Sequence, residues 1–235
     1  MKTLLTSALI GIMIALPAKA DILTYSFTAK IDTLIEQSGT INPISVSSGV
    51  VSGETISLGN SVKGSFTYDT TTRLSSWQPE QPSGAVYVIY SDLRAANAVN
   101  FSFDQNNLRF NSNGSWSLPK IWLTNSNYDS LAYWDSAYQD SKITHLRLHF
   151  VGNGDIFPGN ALPATIPLDK LLFSSFTYEV SDYSGATPWS LYAHGKFSSI
   201  ELTSTTPVPE PGMYLMLLAG LAGMGLVARC RQMHR

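Results

Sequence analysis

Two histidines and an arginine, His145, Arg147 and His149, alternate along one short stretch, and three carboxylates, Asp129, Asp135 and Asp140, lie just before it. Imidazoles ligate metals; paired carboxylates can cleave glycosidic bonds or hold calcium through oxygen. For a metal the histidine spacing is wrong. On a strand, four residues at roughly 3.3 Å each hold the rings about 13 Å apart, and Arg147 between them repels a cation. They read as the polar face of a strand. His194 has no carboxylate or nucleophile motif beside it, and the chain has no G-x-S-x-G, no H-E-x-x-H and no glycine-rich phosphate loop. Cys230 is the only cysteine, which rules out an intramolecular disulfide and any cysteine nucleophile in the 229 residues before it. No catalytic residue, metal set or cofactor is assigned.

The carboxylates and aromatics leave more open. Asn127 to Asp135 reads NYDSLAYWD, placing Asp129 and Asp135 among rings. A surface glycoside hydrolase could use them, or a calcium ion could bind with help from Asn153 and Asp155, although the regular calcium-loop spacing is missing. Large flat rings also pack on the apolar faces of sugars while their polar tips stay wet. The candidates for glycan binding are Trp116, Tyr133, Trp134 and Trp189; Trp77, Trp122, Tyr128 and Tyr138 are further rings in the same region or near predicted loops. The competing reading is that a β core simply needs rings.

The elements that must position these groups have a period of two. Val62, Phe66 and Tyr68 alternate with Lys63, Ser65 and Thr67; Leu146, Leu148 and Phe150 alternate with His145, Arg147 and His149; Phe176, Tyr178 and Val180 continue the pattern. Further strands are expected at Ile22 to Ile31, Ala85 to Tyr90, Val99 to Asp104, Leu108 to Asn111, Ile121 to Leu123 and Leu191 to Leu202. Asn106-Asn107 reads as a hairpin turn. Loops are expected at Ser45 to Gly53, Gln78 to Gly84, Asn111 to Ser117 and Gly152 to Gly159, with a helical turn or two near Pro167 to Phe173 or Ser91 to Ala96. Many short strands with frequent turn residues predict an all-β, antiparallel β-sandwich, jelly-roll-like, whose strand order pattern reading leaves open.

The two ends of the chain carry addresses. Met1 to Ala20 has a basic n-region at Lys2, an apolar run from Leu4 to Leu16, and Ala18-Lys19-Ala20 as the small-x-small site, so signal peptidase is expected to cut after Ala20. The last 28 residues read VPEPGMYLMLLAGLAGMGLVARCRQMHR. Pro209 and Pro211 keep Val208 to Glu210 extended. Sixteen uncharged residues follow, Met213 to Ala228, then Arg229, Arg231 and Arg235. As a helix they span about 24 Å of a hydrocarbon core roughly 30 Å thick, and the arginines put the C-terminus in the cytoplasm. An ordinary single-pass anchor is the rival reading.

This order of Pro-Glu-Pro, apolar run and basic end resembles the PEP-CTERM sorting signal of exported proteins in Gram-negative, biofilm-forming bacteria. The resemblance implies recognition of Val208, Pro209, Glu210 and Pro211 by an exosortase, a membrane protease-transpeptidase, with passage through the inner membrane. It extends to Gly64-Ser65-Phe66-Thr67-Tyr68-Asp69 and to Leu162-Pro163, which are similar to features of a sandwich common among such proteins. The implied organisation is a signal peptide at 1–20, an exported domain with a C-terminal transmembrane helix beyond it, the domain spanning 21–206, and a sorting tail at 207–235. Counted from Asp21 through Glu210, the exported part has 10 Lys or Arg against 17 Asp or Glu, a net charge of −7, which argues against nucleic acid as a partner. The reading is a non-enzymatic surface or matrix protein, structural or adhesive, in company with exopolysaccharide because the resemblance implies it. A carbohydrate- or calcium-binding module is the alternative.

Overall fold

The computed structural model describes residues 21–79, 86–112, 119–157, 159 and 161–207. The expected signal peptide with Ala18 and Ala20, Trp116, and the tail from Val208 with its transmembrane run and arginines lie outside the described residues. Among the described residues no helix is long and apolar enough to cross a membrane.

Ile22–Thr206 forms one compact unit. In chain order its strands are β1 (Asp21–Ser38), β2 (Ile44–Ser45), β3 (Ser48–Val51), β4 (Glu54–Ser57), β5 (Ser61–Asp69), β6 (Leu74–Pro79), β7 (Val86–Tyr90), β8 (Ala98–Phe103), β9 (Arg109–Asn111), β10 (Lys120–Asn125), β11 (Tyr128–Gln139), β12 (Lys142–Asn153), β13 (Leu171–Asp182) and β14 (Trp189–Pro207). Twelve of them make a single sheet in the order β6-β7-β10-β11-β12-β13-β14-β1-β5-β8-β9, with β2 beside β1, while β3 and β4 form a separate ribbon. The fold is all-β and antiparallel, and the sandwich is one sheet curled over on itself.

The core shows how the curl closes. Phe66 of β5 stacks on Tyr25 of β1, with centroids 5.0 Å apart, and meets Tyr133 and Phe150 of β11 and β12 at 5.9 and 5.8 Å. Phe101 of β8 meets Phe176 and Tyr178 of β13 edge-on at 5.1 and 5.4 Å. Strands four or five places apart in the sheet order therefore face each other. Burying each such ring stabilises the fold by about 1.5–3 kcal/mol, and the edge-on geometry adds roughly 0.5–1.5 kcal/mol.

Gly64 to Asp69 acts as a tie between distant segments. The Tyr68 hydroxyl donates to the Pro163 carbonyl at 2.8 Å, and the Tyr25 hydroxyl accepts from Ile166 N at 3.0 Å, so two tyrosines clip the 161–167 connection to the core. Asp69 then closes the strand end by accepting from Thr71 N at 2.8 Å and from Ala96 N at 2.9 Å. Tyr68 is fully buried. Tyr68→Phe leaves the Pro163 carbonyl without its donor and is expected to cost about 1–2 kcal/mol in urea unfolding. An unchanged midpoint would show that the clip contributes nothing.

The turn near Pro167 and the Asn106 hairpin turn are met, while other local expectations need correction. Ser45 to Gly53 is not a loop: β3 lies within it, and Val51 with Ile56 of β4 is buried against the core. Near Pro167 there is one 3₁₀ turn, Leu168–Lys170, and then β13 begins; Ser91 to Ala96 is an Asp92-centred turn, with Arg94 N donating to Asp92 Oδ1 at 2.9 Å. The Asn106 turn works through its side chain, which accepts from Leu108 N at 2.9 Å. The largest omission is β11, a twelve-residue strand over a stretch whose residues suggest only candidate site groups.

Candidate ligand-binding face

The outward side of β10 to β14 gathers the groups that the sequence scatters. Two neighbouring rows run straight across the strands. One is Lys120, Trp134, Arg147, Thr177 and His194; the next is Trp122, Ala132, His149, Ser175 and Lys196. Each row crosses four inter-strand gaps, about 19 Å. No carboxylate stands in either row. Glu179 lies in the flanking row with Ser136, His145 and Tyr192.

Trp122 and Trp134 are diagonal neighbours, and their rings stack at 5.9 Å with 21° between planes. Ala132, small and buried, stands between Trp122 and His149 in the row. Trp122 remains 38 % exposed, so the stack presents a wet flat surface. Trp134 is held in place: its Nε1 donates to Ser136 Oγ at 3.2 Å, and Ser136 Oγ shares a 2.7 Å hydrogen bond with His145 Nδ1. The Arg147 guanidinium sits 5.9 Å from the Trp134 ring centroid, a cation–π distance. Its Nε is buried without a hydrogen-bond partner among the described residues. Burial lowers the Arg147 pKa, and burial together with Arg147 and His194 pushes His149 down to about 4. His149 is therefore neutral at pH 7, on a face whose field is positive.

At the β13–β14 end the face opens into a depression of about 540 Å³, with Phe173, Ser175, His194 and Lys196 on one side and Asp32 and Thr33 on the other. His149 meets Phe173 edge-on at 5.9 Å, and His194 Nδ1 shares a 2.7 Å hydrogen bond with Thr177 Oγ1. The face is thus continuous from the tryptophans to the depression.

The sequence candidates fare unequally. Trp134 lies at the centre of the face. Tyr133, its neighbour, points the other way and is 0 % exposed, packed against Phe66, so it cannot meet a sugar. Trp189 belongs to the inward side, half-buried, its Nε1 donating to Glu36 Oε1 at 2.7 Å. Trp122 and Arg147 were missed as site residues. The alternation that turned Arg147 outward was legible, but its meeting with Trp134 depends on the register between β11 and β12.

Asp129 and Asp135 do not form a pair. They lie six residues apart on β11, about 20 Å, whereas glycoside hydrolysis places its carboxylates about 5–9.5 Å apart. Both are fully buried. Asp129 accepts from Ser126 N at 3.1 Å and Phe157 N at 3.2 Å, organising two turns. Among the described residues no three His, Cys, Asp or Glu converge as a metal site.

No curated protein and no solved structure matches the chain. A family model does, over the tail: residues 207–232 match the PEP-CTERM protein-sorting motif. That signal implies export, transit through the membrane and processing by an exosortase, and the chain carries a PEP-CTERM sorting signal over residues 207–232.

Proposed function

We propose that this protein is an exported, non-enzymatic component of the cell surface or extracellular matrix. Signal peptidase releases Asp21, the tail passes to an exosortase at the inner membrane, and the β-sandwich acts outside in a structural or adhesive role alongside exopolysaccharide. The observation that carries this reading is the match of residues 207–232 to the sorting motif. Intact-mass measurement on protein from cells and from medium tests it. The expected species begins at Asp21 and ends near Pro209 to Pro211. A membrane-bound species that retains Arg235 would reduce the tail to a plain anchor.

A second reading is favoured by the Trp122–Trp134 stack. On it the sandwich is a carbohydrate-binding module, and the adhesive role is glycan binding through the outward face. Calcium binding and glycoside hydrolysis have weaker support, since Asp129 and Asp135 lie inside the sandwich and far apart.

A further inference from the structure

We infer that the outward face of β10 to β14 binds an acidic polysaccharide, one whose sugar rings pack against Trp122, backed by Trp134, and whose carboxylates meet Arg147, Lys120 and Lys196. This rests on the carbohydrate-binding reading and names the class of glycan.

Charge placement is the first support. The exported part carries a net −7, and the salt bridges of Lys63 with Asp104, Arg73 with Asp92 and Lys142 with Asp182 engage basic residues elsewhere. Lys120, Arg147 and Lys196 form no ion pair among the described residues, and all three stand in the two carboxylate-free rows. An acidic domain thus keeps a local cationic strip.

Hydrogen-bonding capacity is the second. Arg147 carries a planar guanidinium matched to the two oxygens of a carboxylate, and with its Nε buried it is the terminal nitrogens that would meet one. A neutral glycan offers hydroxyls, which satisfy those donors but not the charge. The third is geometry. Trp134 stands between Trp122 and the guanidinium, which is 5.9 Å from its ring, so a sugar chain laid along the row meets the exposed Trp122 indole and the Arg147 cation on one short path. From Trp122 the row runs about 19 Å in all to the depression at Lys196, room for several rings in a chain. A dense polyanion suits it poorly. Duplex DNA carries one charge per about 1.7 Å, a density that three cations spread over about 19 Å do not match.

The test uses the full protein as recovered from producing cells, with immobilised alginate, hyaluronate and polygalacturonate as probes and the carboxyl-reduced form of each as its neutral control. Binding to at least one polyuronate, about tenfold tighter than to its reduced form, is expected. Arg147→Gln should bring acid and neutral forms within about threefold of each other, whereas Trp134→Ala should weaken both by about tenfold. Lys196→Gln, at an exposed position, supplies the charge test if Arg147→Gln fails to fold. Equal binding to acid and reduced forms would overturn the acidic preference and leave glycan binding standing. Binding only to neutral glycans would do the same. No binding to any polyuronate or reduced form would overturn both. Equal affinity for duplex DNA would show a charge effect without a glycan site, and the inference would fall.

Discussion

Asp135→Asn is expected to raise the stability of this protein above pH 7 and to leave it nearly unchanged near pH 4. Asp135 faces inward on β11 and is 0 % exposed. Burial pushes its carboxyl up from 3.8 to about 7, against the lowering effect of hydrogen bonds from Ser136 N and the Ser112 side chain. The Ser136 bond is 2.7 Å. In the unfolded chain the group ionises near the ordinary value, so the folded form binds its proton more tightly. Its favourable contribution is complete at pH values below about 4 and is lost as pH rises through about 7. Each tenfold in proton affinity is worth about 1.4 kcal/mol, so the loss between those limits is about 2–4 kcal/mol, allowing for relaxation around the charge. Asparagine has the same shape and no charge. Urea unfolding of both proteins at pH 4 and pH 8.5 measures the difference. The variant should gain stability relative to wild type over that interval; parallel pH dependence in the two proteins would mean that Asp135 is solvated.

Gly64→Ala is expected to be among the most damaging single methyl additions in the sheet. Gly64 sits on the inward face of β5, directly between Phe27 of β1 and Phe101 of β8. A Cβ there would meet the Asn100 carbonyl oxygen, the Phe101 Cβ and the Phe27 ring tip, the last two at 2.7 Å. The ring tip can swing, but the carbonyl and Phe101 Cβ belong to the paired backbone of β8. Relief therefore requires the β5–β8 ladder to separate in the middle of the aromatic cluster. The expected cost is about 3 kcal/mol, which lowers Tm by roughly 6–12 °C in a domain of this size. Differential scanning calorimetry decides it. A shift below about 2 °C would show that the ladder yields freely. The Gly64 to Asp69 stretch thus has a structural meaning in each part: a close approach at Gly64, a core ring at Phe66, a clip at Tyr68 and a turn at Asp69.

Most of the sheet was legible because period-two alternation is a local property. A strand with one wet face writes its orientation into adjacent residues, as β5, β12 and β13 do, and each was found from its own residues. β11 escaped the same method for a definite reason. Its inward positions are Asp129, Leu131, Tyr133 and Asp135, and its outward ones include Tyr128, Ala132 and Trp134. Two buried carboxylates and an outward tryptophan invert the polarity signal, so the stretch looked like an exposed site. The ribbon of β3 and β4 escaped because Ser48, Gly49, Ser52 and Gly53 read as turn residues, and its burial comes from packing Val51 and Ile56 on the core.

The sorting tail belongs wholly to the sequence. Its information lies in the order of an extended tripeptide, an apolar run and basic residues, all contiguous, and residues 207–232 match the motif on that order alone. The outward face belongs to the tertiary structure. Trp122, Trp134, Arg147 and His194 come from four strands, and only the registers of β10 with β11, β11 with β12, and onward to β14 bring them into two rows. A shift of one residue in any pairing would send a whole strand's side chains to the other face. That register is set by the aromatic core beneath, through contacts far apart in the chain, which no reading of neighbouring residues can supply.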